Sequence, residues 1–197
     1  MTAPPRTRNA AATREAILAS ARRAFAEHGY DGAGVREIAK GAGVTAMLIN
    51  RYFGSKEQLF AEATAAAMAQ PVILSRRNLD AADLSRAMAE GLVALTNPGA
   101  PVLEGFQIMF RSTSSHSAAQ IGREQIEQHH LKTLTEALSG PLRAERAALA
   151  LSLVAGVQIM RQMMELSPLT AADPAALADL LTPMVRSLIE APPAPAA

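Results

Sequence analysis

The sequence predicts an all-α fold of about nine helices, and three observations lead to that prediction. Apolar residues make up 49% of the 197 residues, and they recur at spacings of three and four, which is the helical period. Aromatic residues are only 4% of the chain, and the alternating pattern of a strand is nearly absent. Alanine and leucine, both strong helix formers, are abundant.

The composition also limits the class of protein. The chain has no cysteine, which excludes disulfides, thiolate metal sites and cysteine nucleophiles. No apolar run reaches the roughly 18 residues that a transmembrane helix needs. Residues 1–8 carry two prolines and lack the apolar core of a signal peptide, so we expect a cytoplasmic protein.

Four helices are predicted in the first third of the chain, after residues 1–11, which are expected to form a disordered arm. Thr13 is expected to cap the first helix and Gly29 to end it. Ser55 and Gln58 form a capping box, in which each side chain satisfies a free amide, and this predicts the start of the fourth helix. The predicted ranges are 13–28, 35–42, 45–53 and 55–70.

Five further helices are predicted before a disordered tail at residues 191–197. Asp80 is expected to cap the fifth helix, and Pro101 and Pro141 to occupy the first turns of the sixth and eighth. Pro183 should kink or restart the last helix, because proline has no amide hydrogen to donate. The predicted ranges are 80–97, 101–113, 118–138, 141–166 and 174–190.

Residues 35–60 contain two short helices joined by the glycine-rich turn at residues 41–44, an arrangement typical of a helix-turn-helix. No carboxylate lies between Glu37 and Glu57, and an acidic side chain there would repel phosphates. The first 60 residues carry nine basic and five acidic residues, a net charge of +4, whereas the remainder carries −3. This asymmetry favours a polyanionic partner at the N-terminal end. Four side chains are expected to project outward from the second helix: Ala46, Met47, Asn50 and Arg51.

Residues 13–60 resemble the DNA-binding domain of the TetR/AcrR repressors. The matching segments are Ala24-Phe25, Gly29-Tyr30, Arg36-Glu37-Ile38-Ala39, Gly43-Val44-Thr45 and the run from Arg51 to Phe60. The resemblance implies a helix-turn-helix domain at residues 12–58 and a ligand-binding and dimerisation domain at residues 59–190. It also implies that four side chains contact phosphates, Arg36, Thr45, Tyr52 and Lys56, and that three face base edges, Ala46, Met47 and Asn50.

Two positions depart from the pattern of this family. Gly34 stands where the family often has a threonine or serine that contacts phosphate, so that contact is expected to be missing. Asn50 stands where tyrosine or arginine is common, and its amide can pair with adenine, while Ala46 and Met47 can contact thymine methyl groups. Three basic residues lie in or just after the N-terminal segment, Arg6, Arg8 and Arg14. They are compatible either with an arm that reaches DNA or with a solubilising tail.

The C-terminal part is expected to pair two copies and to bind a small, mostly apolar effector. Helices 141–166 and 174–190 are apolar on more than one stripe, which favours a four-helix dimer interface, although core helices of a monomer would show the same pattern. The methionines favour an adaptable cavity. Candidate pocket residues are Phe106, Gln107, Met109, Phe110, His116, Gln158, Met160, Arg161 and Met164.

A helical-bundle metalloprotein or enzyme is the rival interpretation. Glu127 and His130, three residues apart, would share one helical face, which is half of a di-iron carboxylate motif. A complete site needs a second such pair, and no other Glu-x-x-His occurs in the chain. We therefore expect no cofactor, no metal and no catalysis, and interpret this cluster as a polar helix face.

Overall fold

The computed structural model describes residues 6–69 and 72–190, and all regular structure within these ranges is helical. Two compact units are present: unit 1 contains residues up to 69 together with 103–125, and unit 2 contains residues 72–102 together with those from 126. The helices are α1 Arg6–Gly32, α2 Val35–Gly41, α3 Ala46–Phe53, α4 Lys56–Met68, α5 Arg76–Leu79, α6 Leu84–Leu95, α7 Glu104–Arg111, α8 His116–Gln125, α9 Lys132–Ala137, α10 Arg143–Gln158, α11 Ser167–Thr170 and α12 Pro174–Ile189.

Two π turns, Ile126–Leu131 and Ile159–Met163, follow α8 and α10 directly. The all-α prediction is confirmed. The predicted domain boundary between residues 58 and 59 falls inside α4, which packs against α1 and α7 within unit 1. The division of function between residues 12–58 and 59–190 stays a prediction.

Helix α1 begins earlier than the sequence predicts. Residues 6–11 are helical, so the expected disorder is wrong for them, and Thr13 lies inside the helix rather than at its cap. Three consecutive alanines at residues 10–12 favour this extension. Residues 1–5, like the predicted tail at 191–197, lie outside the described residues. Arg14 forms an ion pair with Glu62, and its guanidinium lies 5.0 Å from the centre of the Phe53 ring.

Other helix starts also differ from prediction. Asp83, not Asp80, caps α6 by accepting a hydrogen bond from the Arg86 amide at 2.9 Å, whereas Asp80 ends the short helix α5. Residues 101–103 precede α7 and Pro141 precedes α10, so neither proline opens a helix. Helix α12 runs continuously through Pro183. The long seventh helix is interrupted by the π turn Ile126–Leu131.

Unit 1 packs around three rings. The ring centres of Phe25 and Phe60 are 5.0 Å apart, those of Tyr30 and Phe60 are 5.1 Å apart, and both pairs meet edge to face. Gly29 lets α1 turn sharply before Tyr30, at a φ of 67° and a ψ of −178°. The Tyr30 amide then donates to the Ser112 hydroxyl at 3.0 Å, which fixes the end of α1 against the end of α7.

Unit 2 is built on the antiparallel pair α6 and α12. Arg186 of α12 forms an ion pair with Asp83 at the start of α6 at 2.6 Å. Two buried arginines hold the carboxyl ends of these helices. Arg146 donates to the Leu188 and Ile189 carbonyls of α12, and Arg161 donates to Val93 and Thr96 at the end of α6. Cations at helix carboxyl ends are stabilised by the helix dipole.

Candidate nucleic-acid interface

The turn between α2 and α3 has the geometry of a helix-turn-helix. Gly43 adopts a φ of 68°, the left-handed conformation that ends helices, and the Val44 amide donates to the Ala39 carbonyl at 2.9 Å. Helix α2 lies so close to α1 that a Cβ at Gly41 would overlap the Ser20 hydroxyl. That hydroxyl donates to the Ile38 carbonyl at 2.9 Å, so the two helices are joined by a buried hydrogen bond.

Helix α3 has one buried and one exposed face. Ile49 and Phe53 are buried in the core of unit 1. Met47 is 80% exposed, and Asn50 and Arg51 are exposed beside it. The sequence predicts this orientation for all three. Ala46 and Tyr52, which the sequence also predicts to contact DNA, are less exposed than these three. Both are half-buried and pack against the core of unit 1.

The amino end of α3 is free of local caps. Thr45 occupies the N-cap position, but its side chain makes no capping hydrogen bond, so the hydroxyl is available to another acceptor or donor. Gly34 occupies the N-cap position of α2, where it has no side chain to contact phosphate. Arg36 is exposed in the first turn of α2, and the neighbouring Glu37 lies 3.3 Å from the His28 imidazole. Free amides at a helix start favour phosphate binding.

Lys56 is held by a residue whose role the sequence analysis missed. Its ammonium lies 4.6 Å from the centre of the Tyr30 ring, within the range of a cation–π interaction. The Tyr30 hydroxyl donates to the Glu57 carboxylate at 2.8 Å. Burial, followed by that contact, raises the pKa of Tyr30 to about 12, and the Glu57 backbone amide and then Tyr30 lower the pKa of Glu57. Tyr30 therefore orders Lys56 with its ring and binds the neighbouring Glu57 carboxylate with its hydroxyl.

The nine candidate pocket residues are divided between the units. In unit 1, the Phe106 and Phe110 rings stack with their centres 6.2 Å apart, and Phe110 is partly exposed. Also in unit 1, Gln107 and Met109 are half-buried, whereas His116 is exposed at the start of α8. In unit 2, two are buried, Gln158 and Arg161, and two are exposed, Met160 and Met164. Their role in ligand binding stays a prediction.

The Glu127–His130 pair does not form the predicted shared face. Both residues lie in the π turn Ile126–Leu131, which has more residues per turn than an α-helix and so separates positions three apart. Glu127 is exposed, whereas the Nδ1 atom of His130 is buried. Within residues 6–69 and 72–190, no three His, Cys, Asp or Glu side chains are grouped as metal ligands.

Helices α10 and α12 each present exposed apolar side chains beside a buried face. Leu149 of α10 is 56% exposed, and a Cβ at Gly156 would meet open space. Leu180 and Met184 of α12 are 67% and 50% exposed, while Leu181 and Val185 on the same helix are buried. Large exposed apolar side chains in such a row are typical of protein interfaces.

The geometry of α2, α3 and the turn between them defines the class of protein, a helix-turn-helix DNA-binding protein. Residues 17–63 match the family described as bacterial regulatory proteins, tetR family, and residues 82–189 match the tetracyclin repressor-like C-terminal domain. Together these matches cover most of the chain, which belongs to the TetR family of transcriptional regulators. Members of this family are DNA-binding regulators rather than enzymes.

Similar proteins support the same assignment. The transcriptional repressor AcnR of Corynebacterium efficiens is 48% identical over 63 residues, which are 30% of this chain and 34% of AcnR, so only about a third of that relative is matched. A TetR-family regulator of Streptomyces coelicolor has a similar fold, with a TM-score of 0.58 and 23% identity, covering 96% of this chain and 98% of that one. A TetR-family regulator from Rhodococcus sp. has a TM-score of 0.68 at 17% identity, covering 91% and 100%.

A membrane span is not found in the described part of the chain, since no helix there is long and apolar enough to cross a bilayer.

Proposed function

We propose that this TetR-family regulator is a homodimeric repressor that binds a palindromic operator and is released by a small, mostly apolar effector. The observation that carries the proposal is the exposed face of α3. Met47, Asn50 and Arg51 lie there side by side, on a helix that is fixed by its buried face. Thr45, the N-cap residue of the same helix, lies next to them and its side chain makes no capping hydrogen bond. Such a helix can enter the major groove.

The exposed residues of α3 have the chemistry to read bases. The Asn50 amide can donate to and accept from one adenine edge, and a correct pair of this kind contributes about 1–3 kcal/mol of discrimination. Met47 and Ala46 offer apolar contacts to thymine methyl groups. Residues with cationic or hydroxyl groups surround them and would bind phosphates: Arg36, Thr45, Arg51, Tyr52 and Lys56.

Two copies of the chain would associate through α10 and α12. The exposed leucines Leu149 and Leu180 and the open position at Gly156 favour close helix packing between copies. A two-fold dimer presents two α3 helices to half-sites about one helical turn of DNA apart. The proposed operator is a palindrome for that reason.

Effector release follows from a shift in population. A ligand that binds more tightly to a form with low DNA affinity raises the fraction of that form and so lowers occupancy of the operator. The coupling requires only a difference in ligand affinity between the two forms.

The test begins with selection of bound duplexes from a random-sequence library by the wild-type protein. The affinity of Asn50→Ala is then measured for the selected sequence and for a scrambled one. We expect the ratio of these affinities to fall about five- to 150-fold relative to wild type, which corresponds to about 1–3 kcal/mol.

Asn97→Ala is the matched control, because Asn97 is also an exposed asparagine but follows α6 in unit 2. It should leave the ratio unchanged. Failure to enrich any palindrome would contradict the proposed function, and an unchanged ratio in Asn50→Ala would remove the role of that residue.

A further inference from the structure

Two glutamines in unit 2 carry buried polar atoms that have no partner. Gln158 is only 4% exposed, and its Nε2 atom makes no hydrogen bond. Gln162 donates through Nε2 to the Leu95 carbonyl at 3.1 Å and to the Ala100 carbonyl at 3.3 Å. These two bonds fix its amide, and they leave the buried Oε1 atom unpaired. Buried polar atoms of folded proteins are normally paired, so a missing partner is indicated here.

The backbone around these glutamines is unusual as well. The π turn Ile159–Met163 begins directly after Gln158, and the Met164 amide donates to the Ile159 carbonyl at 2.8 Å. π turns are rare and frequently occur at functional sites. Gln158 and Gln162 are one turn apart, so they lie on the same side of this segment. The other π turn packs against α10 and carries His130, whose buried Nδ1 atom is also unpaired.

The electrostatics of unit 2 favour a neutral partner. Arg146 and Arg161 are its buried cations among the described residues. Arg146 donates to oxygens of the chain through all three guanidinium nitrogens, and Arg161 does so through Nε and Nη1. No carboxylate is buried in the same part of the chain. Burial lowers the pKa of His130, so the imidazole is neutral at pH 7. A buried ammonium group would have no carboxylate beside it, and a buried carboxylate would have to compete with the chain oxygens that Arg146 and Arg161 already bind. Burying either charged group would therefore be costly.

The body of the partner is expected to be aliphatic. All seven phenylalanine and tyrosine residues of the chain lie in unit 1, so unit 2 offers no phenyl or phenol ring on which an aromatic ligand could stack. The side chains beside Gln158 and Gln162 that pack on the core of unit 2 are branched aliphatics, among them Val154 and Val157.

We propose that Gln158 and Gln162 form the polar subsite for the effector, and that the effector is an aliphatic molecule with a neutral group that both donates and accepts hydrogen bonds. The inference rests on the proposed function, because it identifies the class of effector. An amide or a hydroxyl head group would accept from Gln158 Nε2 and donate to Gln162 Oε1. Both unpaired atoms would then be satisfied together.

The first test measures thermal stability of the full-length protein without any ligand. Gln158→Leu and Gln158→Met replace the unpaired amide by apolar groups of similar size, so we expect the Tm to rise by about 2–4 °C. The matched control is Arg161→Met, a buried neighbour that donates through Nε to Leu169 and through Nη1 to Val93 and Thr96, and its Tm should fall. A fall in Tm for both Gln158 variants would overturn the proposal, because it would indicate a structural role such as binding a buried water.

The second test uses octanamide and 1-octanol as probes, with octanoate as their charged counterpart. We expect the two neutral probes to raise the Tm of the wild-type protein and octanoate to leave it unchanged. The shift should be lost in Gln158→Leu. An equal shift with octanoate, or no shift with either neutral probe, would overturn the proposal.

Operator binding separates this inference from the proposed function. Without probe, Gln158→Leu should bind the selected operator with wild-type affinity, because the residue lies in unit 2 and α3 in unit 1. If the wild-type protein bound no DNA at all, the proposed function would be contradicted. The effect of the neutral probes on the Tm would still show whether Gln158 and Gln162 form a ligand subsite.

Discussion

Gly29→Ala is expected to destabilise unit 1 more than any other glycine substitution near the proposed DNA-binding surface. The residue adopts a φ of 67° and a ψ of −178°, a conformation that only glycine tolerates well and that costs other residues about 1–3 kcal/mol. A Cβ there would also overlap the carbonyl oxygen of Arg111 and lie 3.0 Å from its carbonyl carbon. Overpacking of this kind costs about 1–3 kcal/mol more.

The two effects together predict a loss of about 2–6 kcal/mol in the free energy of unfolding. Urea denaturation followed by circular dichroism measures this loss. Gly43→Ala is the control, because Gly43 also has a positive φ, of 68°, but nothing lies within 4 Å of the Cβ position. Its loss should be only about 1–2 kcal/mol, the cost of the left-handed backbone. Equal losses in the two variants would refute the role of the contact with Arg111.

Three further predictions concern the interface, the histidine and the lysine. Leu180→Glu should convert a dimer to a monomer in sedimentation velocity, whereas Ala94→Glu on α6 should not; dimers in both would contradict the assignment of the interface. Burial lowers the pKa of His130 below its ordinary value of 6.5, so this histidine binds a proton more readily in the unfolded chain than in the folded one as the pH falls through 6.5. Stability should therefore drop from pH 7.5 to 5, and His130→Asn should reduce that drop in urea titrations, while an unchanged slope would refute the effect. Tyr30→Leu should weaken operator binding severalfold and Tyr30→Phe should not, since only the ring holds Lys56; equal affinities in a gel shift would refute this.

The helix-turn-helix was predictable because local signals determine it. Gly43 ends α2 through its own left-handed conformation, and Ser55 caps α4 by accepting from the Gln58 amide at 3.1 Å. Ile49 and Phe53 are four positions apart and therefore lie on one face of α3, and this spacing predicts which face is buried. Each of these features depends only on residues within a few positions along the chain.

Features that depend on distant residues were not predictable. Asp80 and Asp83 are equally good caps in the sequence, and only the packing of α6 on α12 selects Asp83. The π turns carry no sequence signal, and the pairing of Tyr30 with Glu57 joins residues 27 positions apart. The unpaired amide of Gln158 likewise becomes evident only after its neighbours are in place.

Hydrogen exchange of the full-length protein, with and without the selected operator duplex, tests the central claim most directly. If α3 occupies the major groove, the amides of residues 45–53 should exchange more slowly in the complex, while those of α5 and α11 in unit 2 should not change. Unchanged exchange throughout α3 in a saturated complex, with protection elsewhere, would contradict the account.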